Sequence, residues 1–180
     1  MNELYTRCLD TFPEWLRSLA TDAGDLAGLL DGDALNREAK LHVAGALNYL
    51  FKSLDLIPDG IEDLGFLDDA FILRLGAKHA VEALEGAAAP DALTKLAAGD
   101  ALIAELLEST HPRLVAYAKN LVTGAARGRT TEEIVDDEAI RAAFLTEVSG
   151  WAASYQPPSF ARDEKNIVKL SSFLSAKLPA

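Results

Sequence analysis

Leu54-Asp55-Leu56-Ile57-Pro58-Asp59-Gly60-Ile61-Glu62-Asp63-Leu64-Gly65-Phe66-Leu67-Asp68-Asp69 sets six acidic residues among apolar ones and decides the fold. It reads as a compact loop wedged between two strongly apolar helical segments. Upstream, Leu35, Ala39, Val43, Ala46, Leu47 and Leu50 repeat at helical spacing, while Asn36, Arg37, Lys40 and Asn48 lie mostly elsewhere. Asp33 is the expected N-cap, and this helix should run to about Lys52. Downstream, a helix is expected from about Ala70 to Glu85, with Arg74, Lys78, Glu82 and Glu85 on one narrow stripe and the rest apolar. Such a helix packs on most of its sides. The pattern predicts an all-α, single-domain bundle of about six to eight helices around a hairpin of residues 34–52 and 70–85, joined by the acidic Asp-Leu-Ile-Pro-Asp loop.

The composition agrees. The chain has 180 residues, 49% hydrophobic and 25% charged, enough to bury a core without disulfides and too apolar to be wholly disordered. Ala, Leu and Glu are abundant and strand-favouring runs are missing, which favours helix. A net charge of −11 opposes nucleic acid, whose binding needs clustered Lys and Arg, and likewise opposes anionic lipid surfaces. The single cysteine, Cys8, excludes an internal disulfide and a multi-cysteine metal site. The first residues lack the basic and apolar regions of a signal peptide. The longest apolar stretches, Leu41 to Phe51 and Ala70 to Leu84, are too short to span a bilayer, so integral membrane insertion is not expected. A soluble, cytoplasmic protein is the expectation.

Outward from the hairpin, Thr11 reads as the cap of a first helix with Pro13 in its first turn and Phe12, Trp15, Leu16 and Leu19 on one face. A break is expected near Asp22 to Gly24. Gly86 to Pro90 is a short Ala-rich linker between the hairpin motif, about 34–86, and a helical half, about 90–180, of one domain spanning 1–180. That half reads as helices at Pro90–Ala98, Asp100–Ser109, Arg113–Thr123, Asp137–Tyr155 and Asp163–Lys177. Pro112 should separate two of them by drawing His111 away from helical geometry. Gly124 to Thr130 reads as a loop, followed by a capping box at Thr130-Thr131-Glu132-Glu133. Ile167, Leu170, Phe173, Leu174 and Leu178 form a last stripe, to be buried on the main body or on a partner.

Asp55, Leu56, Ile57, Pro58, Asp59, Ile61, Leu64, Gly65, Leu67, Asp68 and Asp69 sit where the turn S-P-I-D-L-I-P-D-F-I-P-V-L-G-Y-L-D-D has the same residues, in a helix–loop–helix context. The chain thereby resembles the YkvA-like family, a small bacterial domain without an established biochemical role. The resemblance covers about Ala46 to Leu84. The family's first proline is Ser53 here, its second is Glu62 and its bulky aromatic is Gly60, which implies a looser loop and a more polar exposed edge. Peripheral membrane association is suggested by that resemblance alone.

Each loop carboxylate has a structural use. Asp55 can bond a backbone N–H two or three residues on, Asp59 can favour the turn begun at Pro58, and Asp68 or Asp69 can cap the following helix. Gly65 permits a positive φ. The alternative is a divalent-cation site on Asp55, Asp59, Asp68 and Asp69, since carboxylate oxygens suit Mg²⁺, Ca²⁺ or Mn²⁺. The spacing is not that of the twelve-residue calcium loop, and the structural reading is preferred.

Elsewhere, Glu108-Ser109-Thr110-His111 has the Glu-x-x-His spacing of di-iron bundles but lacks the second copy they need. Glu38 and His42 lie one helical turn apart. Arg113, Lys119, Arg127, Arg129 and Arg141 make the second half locally less acidic, a small anion-binding face or solvated arginines near helix ends. Cys8 reads as a buried or half-buried thiol. With no catalytic constellation, no enzyme and no cofactor are expected, apart from a possible Mg²⁺ or Ca²⁺. The leading expectation is a non-enzymatic interaction or scaffold module with a protein partner or a second copy of itself, using helical surfaces such as the C-terminal helix. The alternatives are a divalent-cation-dependent enzyme or cation-binding protein using the Asp55, Asp59, Asp68 and Asp69 loop, and a peripheral membrane protein.

Overall fold

Helix follows the apolar periodicity throughout the computed structural model, which describes residues 2–52, 55–61 and 63–180. Among these residues the helices are α1 (Glu3–Ala27), α2 (Arg37–Tyr49), α3 (Leu67–Ala83), α4 (Asp91–Ala97), α5 (Asp100–Leu107), α6 (His111–Asn120), α7 (Thr131–Asp136), α8 (Glu138–Ser154) and α9 (Glu164–Lys177). Seven of them run eight residues or more, within the expected six to eight. The protein is an all-α bundle built on α3, of whose 17 residues 14 are buried. Helices α1, α2, α4, α5 and α6 surround α3, while α8 and α9 lie against α1. One apolar core runs from Cys8 to Leu178. Gly76 lets α3 press against α2, because a Cβ there would stand 2.5 Å from the Cβ of Ala46.

Several boundaries differ from the sequence expectation, each because a distant partner decides it. Helix α1 starts at the Asn2 cap, not at Thr11, and continues through Pro13 and through the break expected at Asp22–Gly24. Pro13 costs a helical hydrogen bond. Leu9, Phe12, Leu16, Leu19, Ala23 and Leu26 are nonetheless buried on both sides of it, with the Phe12 ring 5.3 Å from that of Phe71. Asp22 is buried, accepting from the Ser18 hydroxyl at 2.8 Å and facing the Arg74 guanidinium at 3.4 Å. Arg74, expected on the polar stripe, is buried with it and stacks 4.0 Å over the ring of Trp15.

The cap of α2 is Asn36 rather than Asp33. Its Oδ1 accepts from the Ala39 amide and its Nδ2 donates to the carbonyl of Ala83, both at 2.9 Å, so one side chain starts α2 and ties it to the end of α3. His111 keeps helical geometry despite Pro112; the chain turns at Glu108, whose φ is +48°. The loop expected at Gly124–Thr130 holds a minimal antiparallel pair, β1 (Ala125–Ala126) with β2 (Arg129–Thr130). Arg127 and Gly128 take the positive φ values its two-residue turn needs. The capping box at Thr130 and Glu133 is formed on both sides. The stripe on α9 buries Ile167, Leu170 and Leu174 on the main body, and Arg113 closes that helix by donating to the carbonyls of Ser175, Leu178 and Pro179. No helix among the described residues is long and apolar enough to cross a membrane.

Candidate functional site

The acidic loop folds back through short turns. The amide of Ile61 donates to Pro58 and that of Gly65 to Ile61, at 3.0 and 2.9 Å. Asp63 and Phe66 carry the positive φ values, +66° and +68°, so Gly65 is not the left-handed residue. Gly65 is required by close approach instead, because a Cβ there would lie 2.2 Å from the carbonyl oxygen of Asp59. Ser53, Leu54 and Glu62 lie outside the described residues, and with them two of the three departures from the resembled turn. Asp63 reaches outward and accepts from the Ala161 amide at 2.9 Å, pinning the extended segment before α9 onto the loop.

This folding brings three of the four aspartates together. Asp55, Asp68 and Asp69 each present a carboxylate oxygen within 4.8 Å of the others. Asp68 is fully buried, Asp69 is 2% exposed and Asp55 is half-buried. Asp59 lies beside Asp55 but on the exposed rim, outside the cluster.

The hydrogen bonds show what these carboxylates do. Asp68 Oδ2 accepts from the Tyr49 hydroxyl at 2.5 Å and from the Ile57 amide at 3.2 Å. The Tyr49 hydroxyl in turn accepts from the Leu56 amide at 2.8 Å. The Ile57 amide, two residues on from Asp55 and expected to bond it, is thus taken by Asp68. Neither Asp68 nor Asp69 caps α3, whose N-cap is Phe66 with no side-chain bond, although both sit at its positive dipole end. Among the described residues, Asp55 Oδ1, Asp68 Oδ1 and both oxygens of Asp69 are buried without a hydrogen-bond partner.

That is an expensive arrangement. A buried, unpartnered carboxylate loses its hydration with no compensating bond, so it resists ionisation. Burial, and then the neighbouring Asp68 charge, push Asp55 up to about 7. Burial lifts Asp68 above the usual carboxylate range against the bonds from Tyr49 and Ile57. Burial, then the charges of Asp68 and Asp55, lift Asp69 well above it. Tyr49, which the sequence reading passed over, is held protonated by burial and these charges and so is fixed as the donor to Asp68. Its signal was a tyrosine at the end of an apolar helix, six residues before the first aspartate of the loop.

Other sequence candidates are engaged internally. Arg127 and Arg129 both pair with Glu147, and Arg129 also stacks 4.6 Å from the Phe144 ring. Arg141 pairs with Asp31. With Arg113 closing α9, four of the five cations of the suggested anion-binding face are committed to the protein itself. His111 meets Asp100 at 2.7 Å, not Glu108, and Lys78 bonds the other Asp100 oxygen at 2.6 Å. Cys8 is buried, and burial pushes its thiol up to about 11.

Residues 39–75 match the model of a family described as a protein of unknown function (DUF1232). The match spans most of α2, the loop and the first half of α3, and the YkvA-like resemblance is consistent with it. No curated protein and no solved structure matches the chain.

Proposed function

We propose that this chain, whose residues 39–75 carry the matched domain of unknown function, is a divalent-cation-binding helical protein. Its ion ties the acidic loop to the first turn of α3 through Asp55, Asp68 and Asp69. The observation that carries the reading is the set of four buried carboxylate oxygens that lack a hydrogen-bond partner among the described residues. Buried charge without a partner is rare because it costs several kcal/mol per ion, whereas a hard cation compensates several carboxylates at once. Oxygens across a Ca²⁺ shell stand about 4.6–5.2 Å apart, a range that includes the 4.8 Å of the cluster, whereas a Mg²⁺ shell, about 4.0–4.2 Å across, draws the carboxylates closer.

The burial of Asp68 and Asp69 supports a structural ion rather than one that polarises a substrate. Half-buried Asp55 and the rim carboxylate of Asp59 leave an approach from the loop side. A docking module gains less support, since α9 spends its stripe on the main body and Val168 is the exposed large apolar side chain among the described residues. The test is a Mn²⁺ titration followed by the electron paramagnetic resonance signal of free ion. One tightly held ion per chain, lost in Asp69→Asn with the helical circular dichroism retained, supports the site. Wild-type protein that leaves the free-ion signal untouched refutes it.

A further inference from the structure

At the opposite end of the α2–α3 hairpin from the acidic loop, a cavity of about 130 Å³ is lined by Glu38, His42, His79, Glu82, Glu85 and Lys119. Both histidines are more than nine-tenths buried, at 8% and 5% exposure, and their ring centroids stand 5.3 Å apart. Each offers a lone pair. The Nε2 of His79 is 3.2 Å from the carbonyl of Val115, which can only accept, so Nε2 carries the proton and Nδ1 is left as an acceptor. That Nδ1 faces a carboxylate oxygen of Glu82 at 3.6 Å, two electron-rich groups turned toward one another. The Nδ1 of His42 is buried with no hydrogen-bond partner among the described residues.

We propose that His42 and His79, joined by Glu82 one turn further along α3 and Glu38 one turn earlier on α2, form a site for a transition-metal ion of the zinc class. An imidazole whose far nitrogen is anchored to a backbone carbonyl is the usual arrangement of a metal-binding histidine, because the anchor sets tautomer and ring orientation. Two imidazoles on a tetrahedral ion with Zn–N bonds of about 2.0–2.1 Å place their centroids about 5.2 Å apart. The observed 5.3 Å matches that centroid spacing. The carboxylate arm closes on the ion: Glu82 and Glu38 are exposed and free to change rotamer, whereas the aspartate cluster already stands at ligand spacing. The nitrogen donors separate this site in kind from the all-oxygen loop, since imidazole suits zinc and carboxylates alone suit Mg²⁺ or Ca²⁺.

Co²⁺ reports the site, titrated into the full chain in excess Mg²⁺ and again in the Asp69→Asn chain, so that the acidic loop contributes to neither. The expected result is one Co²⁺ with the intense visible bands of a four-coordinate ion, displaced by Zn²⁺. His42→Ala and His79→Gln should weaken it by more than the roughly 10–100-fold that loss of an outer-shell partner brings. Glu82→Gln, at an exposed position that folding does not depend on, should weaken it as well. Absence of the visible bands in wild type, or Co²⁺ binding unchanged in His42→Ala and Glu82→Gln, overturns the proposal.

Discussion

Asp69→Asn should change the stability of this protein in opposite directions with and without divalent cation. In the metal-free protein, the Asp69 carboxyl is sealed beside two others, and neither of its oxygens has a partner among the described residues. The amide keeps its shape, cannot ionise and adds an N–H₂ that can donate to the oxygens of Asp55 or Asp68. Removing a buried acid that is unsatisfied and resists ionisation at pH 8 is worth about 1–4 kcal/mol. A chain of 180 residues unfolds with an entropy of about 0.38 kcal/mol per kelvin, so the variant should melt some 3–10 °C above wild type in EDTA at pH 8. Added cation at about 100 times its dissociation constant should stabilise wild type by about 2.7 kcal/mol, close to 7 °C. The variant should gain none of this. Differential scanning calorimetry with EDTA, Mg²⁺ and Ca²⁺ in turn measures both arms. If the aspartates served only as caps and turn formers, Asp69→Asn would melt lower in every buffer, and that result refutes the reasoning.

Three further outcomes are expected. Gly65→Ala puts a methyl 2.2 Å from a backbone oxygen and should cost about 1–3 kcal/mol or more, with weaker Mn²⁺ binding; an unchanged melting temperature would mean the turn is not held as described. Asp100 is raised by burial, but hydrogen bonds from His111 and Lys78 outweigh this and hold it below the usual carboxylate range. Its contribution is therefore present above about pH 3.9 and lost as pH falls through the lower folded value. Asp100→Asn should cost about 1.5–3 kcal/mol at pH 7, and urea titrations should show that difference shrinking below pH 4. Cys8, buried and with its thiol at about 11, should react with a thiol reagent at pH 7.5 only as fast as the protein opens; immediate stoichiometric labelling would contradict its placement.

Asp68 and Asp33, both read as helix caps and neither of them one in the fold, show where sequence reading stops. Helix existence is local: Ala39, Val43, Ala46 and Leu47, or Phe71 and Leu75, need only their own spacing to define a buried face. The family-like turn likewise placed four aspartates in one loop between two buried helices. The use of each aspartate was not legible. Cap chemistry suited Asp68 and Asp69 by position, yet the turn amides bond Tyr49 and Asp68 across the hairpin. Asp33 looked like a cap, but Asn36 reaches the carbonyl of Ala83, 47 positions away, and takes that place.

By itself, the sequence determined an all-α bundle, its central hairpin, the acidic loop and the capping box at Thr130. Each follows from residue spacing within a few turns of chain or from side-chain chemistry alone. Tertiary structure alone decided that α1 runs through Pro13, that Arg74 and Asp22 are buried together, and that Arg127 and Arg129 pair with Glu147. It also decided that three carboxylates converge and that His42 meets His79. These outcomes depend on groups brought together by packing from distant points in the chain, and side-chain electrostatics acts over a few ångströms of space, whatever the separation in sequence.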